Sequence, residues 1–74
     1  MMAGAIVAIG EPARIAGWAL AGVRELPADD AEQARQLWAA LDTDVALVIL
    51  TPRAAADLAG EPASPGRLTV VSAS

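Results

Sequence analysis

The sequence VALVILTP, residues 45–52, begins with the segment that we expect to be the most buried strand of this chain. Residues 45–50 are six consecutive apolar residues, and continuous rather than alternating hydrophobicity is typical of a strand buried on both faces of a parallel sheet. Thr51 is a suitable helix cap, and Pro52 fits the first helical position because it has no N–H to donate. A buried strand that leads directly into a helix indicates an α/β protein.

The same order of elements occurs near the N-terminus. Residues 5–9, AIVAI, form another continuous apolar run, and Gly10, Glu11 and Pro12 follow it. This pattern predicts a strand, a turn and a helix over residues 13–21. On such a helix we expect a face of small residues and one leucine to pack on the sheet: Ala13, Ala16, Gly17, Leu20 and Ala21. The outward side would then carry Ile15, Trp18, Ala19 and Gly22, with Gly22 as the helix stop.

Residues 28–44, ADDAEQARQLWAALDTD, predict an amphipathic helix. Asp29 and Glu32 have the spacing of a capping box. Apolar residues recur at three- and four-residue steps, which predicts one core-facing stripe: Ala31, Ala34, Leu37, Trp38 and Leu41. Trp38 is therefore expected in the core. Before this helix, residues 23–27, VRELP, predict a short edge strand.

The remaining segments complete an alternating order. A helix is predicted over residues 52–59 with Gly60 as its stop, then a loop over residues 60–66 and a last strand over residues 67–71. Alternation of strands and helices implies right-handed crossovers and a parallel sheet. We therefore expect residues 1–74 to form a single three-layer α/β domain. Its four-stranded parallel sheet would have the order 2-1-3-4 and helices on both faces, as in flavodoxin-like and receiver-like proteins.

Composition excludes several classes of function. The chain has 74 residues, a net charge of −4 and neither Cys nor His, and its sequence contains no Lys. The acidic balance disfavours nucleic acid, and the missing residue types remove the commonest metal ligands, a P-loop lysine and Schiff-base chemistry. No apolar run approaches the length of about 18 residues that a membrane span needs. We expect a cytoplasmic protein with no catalytic residue, no metal and no cofactor.

The turn after the first strand is the place where this fold could hold a phosphate. Residues 9–17, IGEPARIAG, match neither glycine-rich phosphate motif, and Glu11 would repel an anion. A phospho-receiver would need an aspartate near Thr51 and a later lysine, and neither is present. Asp42 and Asp44 fit a solvated turn, with a carboxylate metal clip as the alternative.

The run Gly17–Val23, GWALAGV, resembles the signature of the small F subunit of the V-type and A-type rotary ATP synthases and ATPases. That family also opens with an apolar strand, a glycine and an acidic residue, and the resemblance covers nearly the whole chain. It departs in two ways. Glu11 followed by Pro12 stands where the family usually has aspartate, and family members continue past the last strand, so this sequence resembles a short or truncated member.

The resemblance implies a non-catalytic rotor subunit of the central stalk, which couples ATP hydrolysis or synthesis to proton or sodium transport through protein contacts. Its partners would be the coiled-coil D subunit of the stalk and other rotary ATPase subunits, at the membrane periphery and without insertion. We predict partner contacts at Glu11, Arg14, Ile15 and Trp18. For Trp18, the rim of the core remains the alternative. A free-standing interaction module of the same fold, able to form a homodimer, is the alternative function.

Overall fold

Four strands form one fully parallel sheet in the order β2-β1-β3-β4, as predicted. The structure is a computed structural model that describes residues 4–61 and 67–72. Its elements in chain order are β1 (Ala5–Gly10), α1 (Pro12–Ile15), a 3₁₀ turn (Trp18–Ala21), β2 (Arg24–Pro27), α2 (Ala31–Ala39), β3 (Val45–Leu50), α3 (Pro52–Asp57) and β4 (Leu68–Val71). The predicted edge strand is confirmed as β2. Of the predicted loop over residues 60–66, residues 62–66 lie outside the described part of the chain.

The central strands β1 and β3 contain the most deeply buried side chains. Val7, Ile9 and Val48 have no exposed surface. Because side chains alternate along a strand, Val7 and Ile9 face one side of the sheet and Ala8 faces the other. Each continuous apolar run therefore places side chains on both faces of the sheet. For this reason the runs predicted central strands correctly.

Two separate clusters cover the two faces of the sheet. The larger cluster joins β1 and β3 to α2 and α3 through Ala34, Ala54 and Leu58, with Trp38 packed against its margin. The smaller cluster consists of Ala8 with Ile15 and Val23, and Trp18 and Ile49 pack against it. Helices on both faces, and a core role for Trp38, are thus confirmed.

Both predicted strand-to-helix turns carry proline at the start of the helix, as expected. The Thr51 hydroxyl accepts a hydrogen bond from the backbone N–H of Ala54 at 3.3 Å, so Thr51 caps α3. The predicted cap of α2 was wrong by one residue. Asp30 accepts from the N–H of Gln33 at 2.8 Å, while the Gln33 side chain accepts from the N–H of Asp29.

The predicted helix over residues 13–21 is wrong. Helix α1 ends at Ile15, Ala16 is extended with ψ 134°, and Gly17 has φ 95°. A left-handed residue cannot continue a right-handed helix, so the chain reverses and forms a separate 3₁₀ turn. That turn ends at Gly22, whose φ is 86° and whose N–H donates to Ala19. Gly22 is therefore a stop, as predicted, but of a different element.

The predicted inward face of this segment is also wrong. Ile15 is buried with 3% of its surface exposed, whereas the residues expected to pack inward are exposed: Ala13, Ala16, Gly17, Leu20 and Ala21. The break at Gly17 removes the helical phase that would have placed these residues on one face. A short helix then buries its largest aliphatic side chain, because that choice removes the most apolar surface from water.

The close approach of β1 to β3 requires glycine at position 10. A Cβ atom there would clash with Cγ2 of Thr51 and lie 2.7 Å from its Oγ1. Thr51 cannot move away cheaply, since it is buried and its hydroxyl makes two hydrogen bonds.

We therefore expect Gly10→Ala to lower the free energy of unfolding by about 1–3 kcal/mol, the usual cost of overpacking. Chemical denaturation measures this change. Gly60→Ala is the matched control, because a Cβ atom at Gly60 meets nothing within 4 Å. The control should be neutral or stabilise by up to about 1 kcal/mol. Equal stabilities for the two variants would contradict the proposed contact with Thr51.

Candidate protein-docking site

The carboxyl ends of β1, β2 and β3 meet at one edge of the sheet. The N–H of Ala28 donates to the carbonyl of Gly10 at 2.8 Å, and the N–H of Thr51 donates to the carbonyl of Ile9 at 3.2 Å. The Thr51 hydroxyl donates to Oε1 of Glu11 at 2.6 Å. This edge is where open α/β sheets commonly bind ligands, but here its polar groups bind one another.

The cavity at this edge is too small for a ligand. Its volume is about 10 Å³, which holds roughly one water molecule. Among its lining residues are Gly10, Glu11, Asp30 and Arg53. In the described part of the chain, no group of three or more acidic, histidine or cysteine side chains could hold a metal ion. Asp42 and Asp44 are exposed, and their backbone carbonyls accept hydrogen bonds from Val45 and Ala5.

Glu11 is held in its charged form by its surroundings. The hydrogen bond from Thr51 contributes most to lowering the pKa of Glu11 below its usual 4.5, and the residue's own backbone N–H and the nearby Arg14 and Arg53 act in the same direction. Arg14 Nε lies 3.7 Å from Oε2 of Glu11. Arg14 itself remains largely open to solvent, since 53% of its side chain is exposed. Glu11 and Arg14 thus form an ion pair at the start of α1.

The other two predicted contact residues, Ile15 and Trp18, belong to or pack against the smaller core cluster. Ile15 is 3% exposed and belongs to the smaller core cluster, so it presents no side-chain surface to a partner in this structure. Trp18 is half-buried and packs against that cluster. The indole of Trp18 therefore contributes to the core, as one of the two interpretations of this residue held. Its exposed part lies at the rim of the 3₁₀ turn.

The sequence did not lead us to expect that Leu20 is exposed. Its side chain is 94% exposed, the most of any large apolar residue in the described ranges. Sequence reasoning placed Leu20 against the sheet because it assumed an unbroken helix. The available signal was the spacing of Gly17 and Gly22, which leaves four residues between two positions that tolerate positive φ.

Several contacts hold the turn that carries Leu20. The N–H of Ala19 donates to Oε2 of Glu25 on β2 at 2.9 Å. The N–H of Val23 donates to the carbonyl of Trp18 at 3.3 Å, which closes the turn onto the start of β2. Trp18 anchors the same turn in the smaller cluster. Leu20 therefore projects from a turn that is fixed on both sides.

We expect Glu11→Gln to lower Tm at pH 7, because the neutral amide keeps an acceptor oxygen but loses the charge that Thr51 and the arginines stabilise. A lowered pKa means that the carboxylate contributes its stabilisation above the usual value of 4.5 and loses it as the pH falls through the lowered pKa. The Tm difference between variant and wild type should therefore shrink below pH 4.5.

Thermal unfolding followed by circular dichroism between pH 7 and pH 2 provides the measurement. Glu32→Gln, at an exposed carboxylate in the first turn of α2, controls for the loss of one surface charge. A Tm difference for Glu11→Gln that stays constant across this pH range would contradict the assignment.

Comparison with known proteins adds no further constraint. A scan against protein-family models, a search of curated proteins and a search of solved structures each gave no match. Within residues 4–61 and 67–72, none of the helices has the length and apolar character to cross a membrane.

Proposed function

We propose that this protein is a non-catalytic docking subunit of the central stalk of a V-type or A-type rotary ATPase, where it binds the coiled-coil D subunit. In that role it couples ATP hydrolysis or synthesis to proton or sodium transport through protein contacts alone. It acts in the cytoplasm, at the membrane periphery. The resemblance of Gly17–Val23 to the F subunit of these complexes supports the choice of complex.

The observation that carries the proposal is the exposure of Leu20 on a fixed turn. A large apolar side chain with 94% of its surface in water gains about 1.5–3 kcal/mol when a partner buries it completely. The turn is already held by the packing of Trp18 and by the hydrogen bond from Ala19 to Glu25, so binding costs little conformational entropy. Leu20 therefore has the properties of an interface anchor.

The surroundings of Leu20 fit the usual anatomy of a protein interface. Trp18 packs on the smaller cluster beneath the turn, and the carboxylate of Glu25 lies beside it. A central apolar anchor with a polar margin is the common arrangement. The apolar a/d seam of a coiled coil, flanked by charged residues, is complementary to such a surface.

We expect Leu20→Asp to weaken binding to the coiled-coil D subunit by tenfold or more, since a loss of about 1.4 kcal/mol at an anchor has this effect. Isothermal titration calorimetry with the purified D subunit measures the dissociation constant. Leu68→Asp is the matched control, because Leu68 is an exposed leucine on β4, far along the sheet from the turn. This control should bind as the wild type does.

Two results would count against the proposal. If the wild-type protein does not bind the D subunit, the rotary ATPase assignment fails, and the free-standing interaction module becomes the better description. If Leu20→Asp and Leu68→Asp weaken binding equally, the docking surface is not the turn. Circular dichroism of both variants ensures that each retains its fold.

A further inference from the structure

The strand β4 forms an open apolar edge of the sheet within the described residues. Leu68, Val70 and Val71 are 71%, 46% and 55% exposed. Through the register with β3, Leu68 and Val70 lie on the same face as Leu47 and Ile49. Helix α1 packs on β1 and β2, towards the opposite edge of the sheet. The outer strand therefore combines exposed apolar side chains with an unpaired backbone edge.

The opposite edge of the sheet shows how an edge is normally protected. Strand β2 carries Arg24, Glu25 and Pro27, and charges and proline on an edge strand discourage pairing with another chain. Strand β4, with the sequence LTVV, has none of these features. The contrast within one sheet indicates that the β4 edge is suited to pairing.

The hydrogen bonds of β4 show which of its backbone groups face outward. The N–H of Ser72 donates to the carbonyl of Leu50 at 2.8 Å, so Ser72 directs its backbone towards β3. Because backbone polar groups alternate along a strand, Val70 and Leu68 also direct theirs towards β3. The N–H and C=O groups of Thr69 and Val71 therefore point to the open edge. These four groups are enough for one short antiparallel ladder.

We propose that β4 pairs with β4 of a second copy of this chain, antiparallel and about a two-fold axis that passes Val70. In this register Thr69 of one copy exchanges both backbone hydrogen bonds with Val71 of the other, and the reciprocal pair does the same. The two Val70 side chains then face each other as a non-hydrogen-bonded pair. The product is a continuous eight-stranded sheet with an isologous interface.

Strand β4 can meet its own copy without bringing the charged side chains of β4 together, because it has none. Two copies with a net charge of −4 each repel one another, and carboxylates lie on or beside most other elements. Strand β4 contains no charged residue, so the antiparallel register brings no like charges together. Arg67 fixes the start of β4, since its Nε and Nη2 donate to the carbonyls of Val45 and Asp42 at 3.1 and 2.9 Å.

The proposed interface is small. A standard stable interface buries about 800 Å² on each partner, and one four-residue strand pair buries less. The dimer is therefore a weak one that assembles at high protein concentration. Sedimentation velocity over a concentration series should show reversible growth from monomer to dimer and no larger species. A monomer at every concentration, or open-ended association, would overturn the proposal.

A single engineered cysteine tests the register directly, because the protein has no cysteine of its own. Opposed residues of a non-hydrogen-bonded pair have Cα atoms about 4.5 Å apart, within the range that a disulfide spans. Val70→Cys should form a covalent dimer under mild oxidation at least tenfold faster than Leu20→Cys. Leu20 is the control because it is more exposed than Val70. Equal rates for the two variants would refute the register.

A proline variant tests the backbone hydrogen bonds. Val71→Pro removes an outward N–H, and proline is tolerated on an edge strand when its N–H side faces solvent. The variant should keep the far-UV spectrum of the wild type and raise the dimer dissociation constant by tenfold or more. Unchanged dimerisation would contradict the ladder. If this variant loses its fold, the rates of covalent dimer formation by the two cysteine variants still test the register. This inference does not rest on the proposed function, and Leu20→Asp should dimerise normally.

Discussion

Two neighbouring parallel strands, β1 and β3, carry apolar side chains on both of their faces, and the need to cover these side chains constrains the whole architecture. On one face Val7, Ile9 and Val48 have no contact with water, whereas on the other Ala8 is buried, Ile49 is half-buried and Ile6 is exposed. One face receives α2 and α3, while the other receives only the four-residue α1 and the turn after it. The thin layer over the second face leaves Leu68 and Val70 of β4 exposed.

At the carboxyl ends of the strands, where related architectures bind ligands, the polar side chains of this protein bond to one another and stabilise the fold. Thr51 is the only buried polar residue in the described ranges, and its side chain serves three purposes. It caps α3, it donates to Glu11 after β1, and it fills the space that Gly10 leaves open. With the hydroxyl and the carboxylate committed to each other, little room or bonding capacity is left for a substrate.

Much of the fold could be predicted from sequence because the strongest signals are local. Continuous apolar runs identified β1 and β3, a three- and four-residue period identified α2, and the alternation of elements fixed the strand order. The prediction for the segment after α1 was wrong for a physical reason. Glycine adopts left- and right-handed conformations with similar ease, so Gly17 alone could not show that the chain reverses there. The inverted assignment of Ile15 and Leu20 followed from that one dihedral angle. The cap of α2 was misplaced because Asp29 and Asp30 are chemically equivalent candidates.

The placement of the two tryptophans has a consequence for spectroscopy. Trp18 packs with the cluster on one face of the sheet and Trp38 with the cluster on the other, and the chain contains no tyrosine or phenylalanine. Each layer of the domain therefore carries its own intrinsic fluorophore, without background from other aromatic rings. Emission from single-tryptophan versions would report on the two layers independently, and could reveal whether the thin layer loosens before the thick one.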